Sequence, residues 1–430
     1  MYMFKKFGLN YQNLLLENGS EVRLLQRTGA PIHLQACIHA GSRHNTIPGL
    51  AHFLEHILVA GTHSYPSKLA LANAIEQVGG SFEATTDNDL IRVTISIPHA
   101  DHVSLGVTIL NEILTASLFS EDVFKNEQSV ILNEQKDRGQ NVMHLLQDSL
   151  LSLMYSDFEL HYKGLGTAES VSNMQLIDVI TFATDNITSD RTTYIVSGDV
   201  EMDTVKDSLN KIKLPQSLNE GKTQLFSSKE NNRMVYYNRP GERADLSIGF
   251  RCDTNNLEEL AGLILIQQMF MGRSSRFINE LRYKKGLVYG GKTLFWDFNG
   301  TGIFSISTSC APGNVIEVCD IINNVIAAIA SEGITEAECV SLKIKTESHY
   351  RFNLQTSKQW TDAEAAAVRH NVEGKTNSNA LTILSYIEQM DADSLTEVYR
   401  KFFDTNNAYR VVLGLLSDET VEYIQTYISK

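Results

Sequence analysis

Residues 52 to 56 read His-Phe-Leu-Glu-His. This H-x-x-E-H arrangement is the inverted form of the H-E-x-x-H zinc motif. In a helix, His52 and His56 fall one turn apart on the same face, and Glu55 stands beside them. One face then carries two imidazole ligands and a carboxylate able to act as a base. A tetrahedral catalytic zinc takes three protein ligands and keeps a fourth position open for water. The third ligand must come from elsewhere in the chain.

The stretch from Ser120 to Tyr155 is predicted to form one long helix. Ser120 can cap it, and Glu121 and Asp122 fall in the first turn, where acidic side chains complement the helix dipole. Glu127 and Glu134 are seven positions apart, so they share a face that can be turned toward the histidines. Val130 and Ile131 lie between them and are expected to bury part of that surface. With these two motifs in order, the chain resembles the pitrilysin and insulinase family of zinc metallopeptidases. Its length is similar to the two-domain branch that includes mitochondrial processing peptidase. The resemblance implies that His52, His56 and Glu134 bind one Zn2+ per chain and that Glu55 is the general base. It implies further that Glu127 is a catalytic-site carboxylate orienting a ligand.

Two other segments carry the same resemblance. GGSFEATTDNDLIRVTI, from Gly79 to Ile95, resembles the family's G-G-x-x-N-A-x-T edge strand. It implies that Phe82, Glu83, Ala84 and Thr85 bind an extended substrate by main-chain β-augmentation. Glu83 stands where Asn is usual in the family. An Asn amide can donate to a substrate carbonyl, whereas an ionised Glu only accepts, so Glu83 suggests selection for a basic side chain or a free amine. GRSSRFINELRYKKGLVYGG, from Gly272 to Gly291, resembles the segment ending in R-x-x-x-G-L-x-Y. By that resemblance Arg282 and Tyr289 contact substrate near the scissile bond, the guanidinium holding a carbonyl or carboxylate and the phenol donating to a developing oxyanion. Gly-Gly-Lys-Thr at 290–293 lacks the P-loop spacing.

The elements that must hold these groups repeat at a spacing of about 215 residues. RVTISIPHADHVSLGVTILNEIL from Arg92 corresponds to FSISTSCAPGNVIEVCDIINNVI from Phe304, each an alternating strand, a turn and an amphipathic helix. RTTYIVSGDV from Arg191 corresponds to AYRVVLGLLS from Ala408, and Cys37 and Cys252 sit at the same offset. The polar stretch 217–233 reads as a linker between domains 1–216 and 234–430. The expected fold is α+β: two homologous domains, each a mostly antiparallel sheet packed on helices. The resemblance makes the pair half of a clamshell. Near Gln267, Phe270 and Met271, the repeat of His52, Glu55 and His56, the second domain has no zinc motif.

At 430 residues, 43% hydrophobic and 20% charged, the chain has the make-up of a soluble globular protein of two domains. Its net charge of −14 argues against a nucleic-acid partner. No stretch reads as a membrane span or a secretory signal. Five cysteines without a C-x-x-C pair read as buried and reduced, which points to the cytoplasm. The expected function is a zinc-dependent endopeptidase acting on peptides or short unfolded segments, with basic substrates favoured by the acidic balance. The alternatives are a non-catalytic scaffold or peptide-binding subunit, or a catalytic subunit that needs a partner. The resemblance implies dimerisation, with a second copy or a zinc-less paralogue.

Overall fold

In the computed structural model of the protein, which describes residues 7–155, 164–217, 233–252, 256–298, 300–369 and 378–426, the strands form two sheets. The first contains β1 (Asn10–Leu15), β2 (Glu21–Gln26), β3 (Ile32–Ile38), β4 (Ser81–Thr86), β5 (Ile91–Ile97) and β6 (Thr192–Gly198), in the order β1-β2-β6-β3-β5-β4. The second contains β7 (Met234–Asn238), β8 (Ala244–Cys252), β9 (Val288–Phe298), β10 (Thr301–Cys310) and β11 (Tyr409–Gly414), in the order β7-β11-β8-β10-β9. Neighbours are antiparallel except β2 with β6 and β7 with β11. Apart from β1, the two sheets therefore have the same order and the same single parallel pair, as the repeat implied. The fold is α+β.

The helices that position functional groups are α1 (Leu50–Leu58), α2 (Val103–Thr115), α3 (Glu121–Gln140), α4 (Val142–Met154), α5 (Leu257–Phe270), α6 (Val315–Glu332) and α7 (Ser357–Val368). The single long helix expected from Ser120 to Tyr155 is two helices. Asn141 leaves helical geometry, and its side chain accepts from the backbone N–H groups of Met143 and His144, which starts α4 anew.

Period-2 patterning gives the first sheet two different faces. Leu24, Leu34, Ala36, Val93, Ile95 and Val196 alternate inward to a core shared with α1 and α2. The opposite face carries Arg23, Gln35, Arg92 and Thr94, and α7 covers it. There Glu364 and Arg23 form an ion pair at 2.8 Å, with the side chains 0% and 2% exposed. The carboxylate also accepts from Tyr11 Oη and the Ala380 N–H, so both of its oxygens are hydrogen-bonded.

The compact units are not the contiguous domains expected from the sequence. One comprises Met1–Asp137, Tyr162–Gln224 and Arg351–Leu381, and the other Arg138–His161, Leu225–Tyr350 and Thr382–Lys430. Each half of the sequence lends a helix to the other half's sheet. Helix α7 lies on the first sheet, and α4 lies on the second through Leu146, Leu150 and Met154. Gly249 of β8 makes room for α4, because a Cβ there would meet Met154 Cε at 2.6 Å. Of the expected linker, 218–232 lie outside the described residues.

All five cysteines are buried and free. Pro312–Glu332, which includes α6, is long and apolar enough to cross a membrane, contrary to the reading of the sequence. It also carries Glu317, Asp320, Asn323 and Asn324, and its stripe of Val315, Val318, Ile322, Ile326 and Ile329 is buried within the second unit.

Candidate metal centre

Helix α1 is apolar on nearly every side, with Leu50, Phe53, Leu54, Ile57 and Leu58 in the core, which fixes its rotation about its axis. Its start is fixed as tightly. Gly49 has φ +90°, and a Cβ there would lie 2.7 Å from the Leu165 carbonyl oxygen. Gly166 has φ +77°, and its Cβ would lie 2.5 Å from the Pro48 oxygen, so the two backbones touch where only glycine fits. The Asn45 side chain accepts the otherwise unpaired Ala51 N–H at 2.7 Å.

Helix α3 is held to the same frame. Phe124 stacks on Phe53 of α1 with centroids 4.6 Å apart, and Ile131 is fully buried. Gln135 donates to the Leu165 oxygen at 2.7 Å, and Gln128 to the Val171 oxygen at 2.8 Å. Val130, expected to share in the burial, is 48% exposed, because it lies about 100° around the helix from the buried Ile131, at the margin of the face turned to α1. Gly49, Gly166 and Gln135 are supporting residues that motif reading missed. The Pro48-Gly49 pair before α1 was the available signal, since that dipeptide marks a turn.

This frame brings His52, His56 and Glu134 together, with one donor atom from each within 4.8 Å of the others. His52 Nε2 and His56 Nε2 each lie 3.6 Å from Glu134 Oε2. Two ligands about 2.0–2.2 Å from a shared tetrahedral ion are separated by roughly 3.3–3.6 Å, so the donor set has the right types and spacing to hold zinc. The histidines are largely buried, while the Glu134 side chain is 46% exposed and leaves one side of the cluster open.

Glu127 lies one step out. Its Oε2 is 2.8 Å from His56 Nδ1, which leaves Nε2 directed at the cluster, the carboxylate–histidine arrangement that fixes ring orientation at metal sites. Burial pushes the His56 ring toward neutrality. Hydrogen bonds to Glu127 and Glu134 and the charge of Glu55 outweigh that and raise its pKa to about 9. A metal taking His56 Nε2 would therefore have to displace a proton from the ring. Burial raises the Glu55 carboxyl above the usual range, and the Thr86 hydroxyl and His56 oppose it.

Thr86 ends β4, the outermost strand of the first sheet, as expected for the segment from Gly79. Phe82, Ala84 and Thr86 turn toward α1, while Ser81, Glu83 and Thr85 are exposed on the other flank. Glu83 is not free there, because it pairs with Lys358 of α7. Arg282 and Tyr289 belong to the second unit, where they meet each other. The guanidinium lies 4.8 Å from the Tyr289 ring centroid, and Tyr289 is 81% exposed. Arg282 sits in a π-helical turn, Asn279–Lys284, which amphipathic patterning does not reveal.

Residues 27–168 match the family model described as insulinase, peptidase family M16, and residues 173–345 match that of the peptidase M16 inactive domain. Together the matches cover well over half of the chain. An uncharacterized zinc protease of Mycobacterium leprae is 28% identical over 332 residues, 75% of this chain and 74% of that protein. One of Bacillus subtilis is 25% identical over 362 residues, 83% and 85% of the two chains. Among solved structures, a peptidase M16 inactive domain from Pseudomonas fluorescens superposes with a TM-score of 0.86 at 17% identity, covering 95% of this chain and 98% of that one. A protease from Helicobacter pylori superposes with a TM-score of 0.83 at 18% identity, covering 94% and 99%.

Proposed function

The chain belongs to the insulinase family of peptidases, family M16, and from that premise we propose that it is a zinc-dependent endopeptidase acting on peptides or short unfolded segments. The observation that carries this reading is the placement of His52 Nε2 and His56 Nε2 each 3.6 Å from Glu134 Oε2, with Glu127 on the far side of His56. The zinc proteases among its relatives support the choice of metal. His52, His56 and Glu134 would hold the ion, and Glu127 orients His56.

Bound zinc supplies a Lewis acid that polarises a carbonyl and makes water nucleophilic at neutral pH. The chain's own residues do the rest. Glu55 projects from the same helix as the two histidines, with its pKa lifted by burial toward the operating pH, where a general base works best. Its carboxylate takes the proton of the attacking water and returns it to the leaving amine. The free edge of β4 binds the peptide as an added strand, so most of the affinity comes from main-chain hydrogen bonds. On the second unit, Arg282 and Tyr289 offer a guanidinium and a phenol to substrate, and the cation–π contact between them favours their staying together.

The test is cleavage of a mixed peptide library by the wild type and by Glu55→Gln, with zinc measured on both. Cleavage by the wild type, lost in a variant that still binds zinc, is the expected result. Equal cleavage by both would remove Glu55 from its role, and no cleavage by a zinc-loaded wild type would overturn the peptidase reading.

A further inference from the structure

Glu83 is the end of an alternating chain of charges on the flank of the first sheet that α7 covers. Lys358 of α7 pairs with Glu83 and lies 3.3 Å from Asp362, one turn along the same helix. Asp362 lies 3.4 Å from Arg92 of β5, Arg92 lies 3.8 Å from Asp87, and Asp87 lies 3.1 Å from Arg369. Every carboxylate behind Glu83 has a guanidinium of its own, so Lys358 is the cation that offsets Glu83.

Geometry gives this pair a role in recognition. Glu83 faces Thr94 of β5 on one side, and its other side is the outer edge of β4. A strand added to that edge would place one side chain directly opposite Glu83 and on the same face, with Cβ atoms about 4.5–5.5 Å apart. That side chain would meet Glu83 and Lys358 together, both more than 40% exposed.

We infer that Lys358, brought to the first sheet from the second half of the sequence, is a specificity-determining residue that neutralises Glu83 and keeps the substrate position opposite it indifferent to charge. The inference rests on β4 being the peptide-binding edge, as proposed above. It replaces the simpler expectation from sequence that Glu83 alone selects a basic residue. The Glu83 carboxylate becomes selective only when its lysine is removed.

The test uses short labelled peptides of neutral extended sequence, with one Lys or one Glu placed at successive positions. Binding is read by anisotropy in the full zinc-loaded chain carrying Glu55→Gln, and wild-type cleavage is measured in parallel. With the pair intact, Lys and Glu peptides should bind within about twofold of each other at every position. Lys358→Gln should favour Lys over Glu by on the order of fivefold at one position, and Glu83→Gln should favour Glu at that same position. The exchanged pair Glu83→Lys with Lys358→Glu should restore indifference, which a loss of stability alone would not do. Unchanged preferences in both single variants would overturn the inference, as would a failure of the wild-type flank to bind any peptide. Peptides that bind with the expected shifts and are not cleaved would uphold the inference and remove the peptidase reading.

Discussion

The two units share one strand order, yet they differ at the helix that follows the early strands. In the first unit α1 presents His52, Glu55 and His56, and α3 closes the cluster with Glu134. In the second, the repeat of those positions falls at the end of α5, where Phe270 is buried with its ring centroid 5.8 Å from Phe304 and 6.1 Å from Phe403. The sheets and their cores hold the architecture without the metal ligands. The His52–His56–Glu134 cluster is an addition that one unit carries at the cost of burying imidazoles, and the other unit uses the equivalent space for aromatic packing.

The sharpest way to break this contrast is to force a carboxylate into the second unit. Phe270→Glu should lower stability by about 3–5 kcal/mol in chemical denaturation, from lost packing and an unpaired buried charge. A stable variant would mean that the second unit is as tolerant as the first. Next in size is Glu127→Gln, which removes the carboxylate at His56 Nδ1 and should weaken zinc binding by about 10- to 100-fold in a chelator competition. An unchanged affinity would show that the α1 frame alone orients the ring.

Smaller effects distinguish the backbone supports. Gly49→Ala puts a Cβ at φ +90° and against the Leu165 oxygen, and should cost about 1–3 kcal/mol. Gly313→Ala in the second unit meets nothing within 4 Å and should stay within about 0.5 kcal/mol of wild type. Equal melting shifts for the two would refute the close contact of Gly49 with Leu165. Smallest of all is Val130→Ser, expected within about 0.5 kcal/mol because its side chain faces solvent.

Much of the first unit's site was legible because its signals are local. The spacing of His52, Glu55 and His56 and the two-turn separation of Glu127 from Glu134 are properties of single helices, and the structure brings the three donors and Glu127 together. The edge position of β4 followed from its resemblance to a known strand, and the likeness of the two sheets to each other followed from the repeat. What stayed hidden depends on partners distant in sequence. Glu364 looks like any polar residue of an amphipathic helix until Arg23 is placed opposite it. The exchange of α4 and α7 between sheets leaves no periodicity to read, and neither does the Lys358 contact to Glu83. The break at Asn141 was readable, since Asn is a favoured cap, but the apolar pattern on either side masked it.

The central claim is that His52, His56 and Glu134 are the ligands of one metal ion. X-ray absorption at the zinc edge, on protein loaded with one zinc per chain, tests it most directly when wild type and Glu134→Gln are compared. The claim predicts two imidazoles with the remaining ligands oxygen, at about 2.0–2.2 Å, and a variant that loses both affinity and an oxygen shell. A sulfur ligand, a different number of imidazoles, or a spectrum untouched by Glu134→Gln would contradict it.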